Sequence, residues 1–138
     1  MILQREYMMR VWYVDTDQMG IVHHSNYIRY YEAARSDLMR ELGVSYAEME
    51  SRGVMMPILE VYSRYLSPAY YDDEIYVQIS LEELPKARIT FNYKIFDRSE
   101  KLLNEGSTTL GFMHSDTRRP TRAPGWFLDL LQSANTVL

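Results

Sequence analysis

The chain contains no cysteine among its 138 residues. That excludes disulfides, thiolate zinc sites and a thiol nucleophile, so any nucleophile must be an oxygen or a nitrogen. Basic runs are also missing: nothing exceeds the pair Arg118-Arg119, and the formal charge is −4. Phosphate neutralisation along a nucleic acid needs a basic face, which this composition does not offer. No stretch approaches the roughly 20 apolar residues that cross a bilayer, and the start, "MILQREYMMR", lacks the apolar core of a signal peptide. A cytoplasmic protein with no membrane span is therefore expected. Neither internal repeats nor low-complexity segments occur, and no G-x-S-x-G elbow is present to make a serine nucleophile.

What is there belongs to a folded protein: 46% hydrophobic and 25% charged residues, in a length that suits a single domain over 1–138. In "REYMMRVWYV", Tyr7, Met9, Val11 and Tyr13 alternate with Met8, Arg10, Trp12 and Val14, predicting a first strand. From Ser25 the pattern turns helical. Tyr27, Tyr31, Ala34, Leu38 and Leu42 form one stripe over about 17 residues, with Ser25 or Asn26 as the cap and Gly43 as the stop. Ala33 and Ala34 let this helix lie close against another element. "VSYAEMESRGV" predicts a shorter helical turn.

Strands then dominate: 58–66, 74–84 with Ile75, Val77, Ile79 and Leu81 on one face, "RITFNYKIF" after the Leu84-Pro85-Lys86 turn, and "LLNEGSTTLGFMHS", in which Gly106 and Gly111 suggest bulges or bends. A short amphipathic helix closes the chain. Short turns between strands imply antiparallel pairing, and one long helix gives the sheet something to wrap. The expected class is α+β, a long central helix across a curved antiparallel sheet.

Chemistry concentrates between the first strand and the long helix, in "VDTDQMGIVHHSNY". Asp15, Asp17 and Gly20 match positions one, three and six of a calcium loop, but Met19 and Asn26 stand where oxygen ligands are required. A strand ending in Asp-x-Asp also suits haloacid-dehalogenase-type phosphatases, which need a parallel sheet that this order of elements does not give. His23, His24 and His114 gather with Asp17 around a metal only if adjacent loop histidines, expected to point to opposite sides, converge. The remaining reading joins a carboxylate, Asp17, to the unpaired amides that open a long helix near His24. Such amides can polarise a carbonyl and stabilise the oxyanion formed on attack, with Asp17 attacking directly or activating water. That pairing suits acyl transfer from an ester or thioester.

The run "RVWYVDTDQMGIVHHSN" resembles the signature of the 4-hydroxybenzoyl-CoA thioesterase family of hotdog-fold acyl-CoA thioesterases, at Arg10, Val11, Thr16, Asp17, Gly20, Ile21, Val22, His23 and Asn26. "NYIRYYEAAR" is similar to the opening of that family's central helix, and "YLSPAYYDDEIYVQ" and "RRPTRAP" to its later strand and tail. The resemblance implies a hotdog fold, hydrolysis of an acyl-CoA thioester, a homodimer or homotetramer with sites at subunit interfaces, and neither a cofactor nor a metal. It puts Asp17 in the place of the catalytic carboxylate and the amide at or near His24 in that of the carbonyl-polarising helix N-terminus. The His24 side chain matches a histidine common in the family's Tol-Pal-associated branch.

Around this pair, Gly20, His23, Asn26 and Tyr27 are candidates for holding substrate. So are Arg88 and Arg119 for the phosphates of coenzyme A, which arginine binds well. Met19, where the family often has a small residue or proline, is expected to reshape the loop or narrow the acyl pocket. Glu32 is expected to pair with Arg35 or Arg29 inside the fold. A hydratase or dehydratase on the same fold, using Asp17 and His24, and a non-catalytic acyl-thioester binding protein are the alternatives.

Overall fold

A computed structural model describes residues 1–136. In chain order the elements are β1 (Leu3–Arg10), a 3-10 turn (Tyr13–Asp15), α1 (Asn26–Glu41), α2 (Tyr46–Ser51), β2 (Val54–Met55) and β3 (Ile58–Tyr65). Then follow β4 (Glu74–Leu81), β5 (Arg88–Phe96), β6 (Leu102–His114), β7 (Pro120–Thr121) and α3 (Gly125–Thr136). Every strand pairing is antiparallel. The long strands run β1, β4, β5, β6, β3 across the sheet, with the two-residue β2 and β7 also on β6. Among the described residues no helix is long and apolar enough to cross a membrane.

The helix α1 lies on the concave face because its stripe and the sheet's alternation meet there. Tyr27, Tyr30, Tyr31, Ala34, Leu38 and Met39 are buried on one side. Ile75, Val77, Ile79, Ile89, Phe91, Tyr93 and Ile95 are buried on the other, one residue in two along each strand. Phe127 and Leu131 of α3 complete the core. At its end α1 closes in a Schellman motif: Gly43, at φ +95°, donates to the Arg40 carbonyl and Val44 to that of Met39.

Several expectations are corrected. The first strand ends at Arg10, and Trp12, Tyr13 and Val14 are exposed, because the chain breaks into the 3-10 turn instead of continuing the alternation. Ser25 makes no side-chain cap; its hydroxyl lies 2.8 Å from His23 Nδ1. Nor does Asn26 cap, since its amide donates to the Asp15 carbonyl at 2.8 Å.

Gly106 stands in unbroken register with Ser63 and Tyr93. Its missing side chain makes room for the Tyr31 hydroxyl, with which a Cβ there would collide. Nor is Gly111 a bulge, since it pairs in register with Arg88; β3 instead shifts register at Leu59, between the pairs Ile58–Leu110 and Glu60–Thr109. Glu32 is exposed. Arg29 pairs with Asp15, while the buried Arg35 reaches the hydroxyls of Tyr46 at 2.7 Å and Tyr93 at 3.2 Å.

Candidate active site

The loop from Asp15 to Asn26 is a small hairpin folded onto the entry of α1. Thr16 bridges Val22, the Asp17 amide donates to the Ile21 carbonyl at 2.9 Å, and the Gly20 amide donates to the Asp17 carbonyl at 2.9 Å. Gly20 sits at φ +79°, the left-handed position of a tight hairpin with a one-residue bulge. One oxygen of Asp17, Oδ1, accepts from the Met19 amide at 2.8 Å, an Asx turn that holds the carboxylate at the tip. Asp17 is half-buried.

Two residues earlier, Asp15 has a different role. It is 2% exposed and accepts from the Trp12 amide at 3.0 Å, the Tyr30 hydroxyl at 2.9 Å and the Arg29 guanidinium. Burial, and then the hydrogen bond to Asp15, pushes the Tyr30 hydroxyl well above its ordinary pKa. The Asp15 carbonyl takes two more donors, the His23 amide at 2.9 Å and the Asn26 side chain at 2.8 Å. One aspartate thus clamps the loop to the helix while the other faces outward.

At the helix entry the amides turn back on themselves. Asn26 N–H donates to the His23 carbonyl at 2.9 Å, Tyr27 N–H reaches the His24 carbonyl at 3.4 Å, and Ser25 N–H lies 3.3 Å from His23 Nδ1. The amide of His24 donates to no acceptor among the described residues. The rings of His23 and His24 lie side by side, 4.1 Å apart and tilted by 32°. The expected opposite orientation fails because the chain is already turning into the helix at these positions.

Asp17, Met19, His24, Tyr27, Tyr65 and Leu66 line a cleft of about 320 Å³, with Ile21, Val22, Ser67 and Pro68 completing it. Tyr27 is buried, and desolvation raises its hydroxyl pKa. Met19 is 75% exposed at the rim.

The structure therefore brings Asp17, His24 and Tyr27 together, with Gly20 shaping the turn, and leaves His23 and Asn26 as supports of the loop. Arg88 and Arg119 do not line this cleft in their own chain. Both are exposed at the other end of the sheet, Arg88 opposite Gly111 and Arg119 in the β6–β7 hairpin. His114 lies there too, at the end of β6. Sequence reasoning gave Tyr65 no role in the site, although it opens the family-like run "YLSPAYYDDEIYVQ" and closes a strand before Ser67-Pro68.

Residues 11–131 match the family described as the thioesterase-like superfamily. The acyl-CoA thioester hydrolase YbgC of Escherichia coli O157:H7 is 27% identical over 115 residues, which are 83% of this chain and 86% of that protein. The 1,4-dihydroxy-2-naphthoyl-CoA hydrolase of Thermosynechococcus vestitus is 32% identical over 94 residues, 67% of this chain and 64% of that protein. Among solved structures, the DHNA-CoA thioesterase of Staphylococcus aureus superposes with a TM-score of 0.86 at 30% identity, covering 97% of this chain and 90% of that one.

Proposed function

The chain belongs to the thioesterase-like superfamily of hotdog fold and is an acyl-CoA thioester hydrolase; from that premise we propose that Asp17 delivers the attack and the His24 amide receives the oxyanion. The carboxylate adds to the thioester carbonyl carbon, or takes a proton from a water that does. The carbonyl oxygen becomes an oxyanion facing the His24 N–H and the positive end of α1. Collapse breaks the carbon–sulfur bond, and the thiolate of coenzyme A leaves and is protonated. In the direct route water then hydrolyses the acyl-aspartyl anhydride, so either way one water is consumed and one acid and one thiol are released. The observation that carries this reading is the joint lining of one cleft by Asp17 and His24, with the His24 amide unengaged among the described residues.

The acting unit is a dimer in this reading. Among the described residues β3 pairs with β6 along one edge only, and its helix-facing Val61 and Tyr65 are 40% and 49% exposed. An unpaired edge of this kind is a template for another strand. Antiparallel pairing of two copies lays the Ile58 end of one β3 beside the Tyr65 end of the other. The end of the sheet that bears Arg88 and Arg119 then approaches the neighbouring subunit's cleft, where these arginines take the phosphates of coenzyme A.

The test is a panel of acyl-CoAs of varied chain and ring, with a thiol reagent reporting free coenzyme A. Asp17→Asn is expected to lower turnover by about 100-fold or more. Thiol release by the wild type no faster than by Asp17→Asn on every substrate would sink the assignment. Incorporation of heavy oxygen from water into Asp17 in a single turnover marks the direct route, and its absence marks general-base catalysis. Light scattering that returns the mass of one chain would remove the dimer.

A further inference from the structure

The half-exposed Tyr65 closes β3 where the Leu66 and Ser67 amides both turn to the Leu103 carbonyl, at 2.9 and 3.1 Å. Its hydroxyl donates to the His24 carbonyl at 3.1 Å, across 41 residues of sequence. Its ring packs edge-on against Tyr27, centroids 5.2 Å apart, and against the His24 ring at 6.3 Å. Two residues earlier on the same face, Ser63 Oγ lies 2.9 Å from the Tyr31 hydroxyl, one helical turn beyond Tyr27. The edge strand is thus tied to α1 at two heights, and the upper tie ends on the carbonyl of His24, a residue that lines the cleft.

Among the described residues the His24 carbonyl has, apart from Tyr65, only the Tyr27 amide at 3.4 Å, a weak hydrogen bond. The preceding peptide, which carries the His24 N–H, is held from its own carbonyl by Asn26 at 2.9 Å. Asn26 and Tyr65 therefore pin the two peptides on either side of the His24 Cα. Without the Tyr65 hydroxyl the second peptide keeps only two long contacts, its carbonyl with the Tyr27 amide at 3.4 Å and its Ser25 N–H with His23 Nδ1 at 3.3 Å, so the hold on the His24 Cα and on the aim of its amide loosens.

We infer that Tyr65 is a positioning residue for the thioesterase reaction: its hydroxyl, through the His24 carbonyl, aims the His24 amide at the oxyanion, and it links that aim to the edge strand on which a second copy pairs. This rests on the reading of Asp17 and His24 given above. A displaced oxyanion donor weakens the transition state more than the ground state, so the effect falls on kcat.

Tyr65→Phe keeps the ring against Tyr27 and removes only the donor. With benzoyl-CoA, butanoyl-CoA and decanoyl-CoA, kcat is expected to fall about tenfold with KM held within about twofold, since full loss of such a donor costs about 100-fold or more. Hydrogen–deuterium exchange on the free protein is expected to quicken about threefold or more over residues 24–28, with the melting temperature and oligomeric state retained. Wild-type kcat in Tyr65→Phe, a rise in KM alone, or unchanged exchange at 24–28 would overturn the inference. Asp17→Asn run in parallel separates the two readings. If it is inactive while Tyr65→Phe turns over at the wild-type rate, only the role of Tyr65 falls. If it keeps full activity, the assignment of the site falls first, and the role of Tyr65 in the reaction falls with it.

Discussion

Replacing Asp15 by alanine tests the claim that one aspartate of the motif is structural and the other chemical. The carboxylate receives the Trp12 amide, the Tyr30 hydroxyl and the Arg29 guanidinium. Alanine leaves the first two without an acceptor, and Tyr30 is only 2% exposed. Each buried donor left unpaired costs about 1–3 kcal/mol. Arg29, whose side chain is 46% exposed, returns to water and adds little beyond that. The Trp12 amide is only part-buried and lies at the low end of that range, so the sum is about 3 kcal/mol, within a span of about 2–6.

With an unfolding entropy of about 2.1 cal/mol/K per residue, this corresponds to a drop of roughly 10 °C in melting temperature. Urea unfolding at fixed protein concentration measures it, because a dimer's apparent stability depends on that concentration. Tyr30→Phe removes one of the orphaned donors, so in the Asp15→Ala background it is expected to restore about 1 kcal/mol, where in the wild type it destabilises. A loss below about 1 kcal/mol for Asp15→Ala, or strict additivity with Tyr30→Phe, would refute the clamp.

Two further outcomes are expected. Gly20→Ala has open space for its Cβ but a backbone at φ +79°, so it should cost about 1–2 kcal/mol in urea unfolding while Gly20→Asn costs less than half of that. Burial, outweighing the opposing influence of Arg35, pushes the Tyr46 hydroxyl up to about 12; the unfolded chain ionises near 10, so stability is retained below pH 10 and falls between pH 10 and 12, by up to about 1.4 kcal/mol per pH unit for this group. Tyr46→Phe should make that decline shallower by the same slope in pH-dependent urea titrations.

The candidate site was only partly legible in the sequence. Asp17, Gly20 and the helix that begins after His24 are near neighbours in the chain, and the motif that carries them could be read together. Tyr65 could not, because a strand-ending tyrosine looks the same whether it faces solvent or a carbonyl 41 residues away. Helical spacing alone sets Glu32 within reach of Arg29 and Arg35. The fold instead pairs Arg29 with Asp15 and surrounds Arg35 with the hydroxyls of Tyr46, Tyr93 and Thr108.

By itself, the sequence determined what neighbours a few residues apart can enforce. That covers the alternation that makes β4 and β5 half-buried, the stripe that turns α1 toward the sheet, the glycines that end α1 and bend the Asp17 hairpin, and the absence of any thiol. The tertiary structure decided what depends on partners remote in the chain. It set Asp15 inside and Asp17 at the cleft, gave Gly106 to the Tyr31 hydroxyl, left one edge of β3 unpaired among the described residues and brought Tyr65 to His24. Backbone propensity and side-chain periodicity act over one or two turns, whereas a buried polar group takes whichever donor the packed sheet and helix bring within 3 Å.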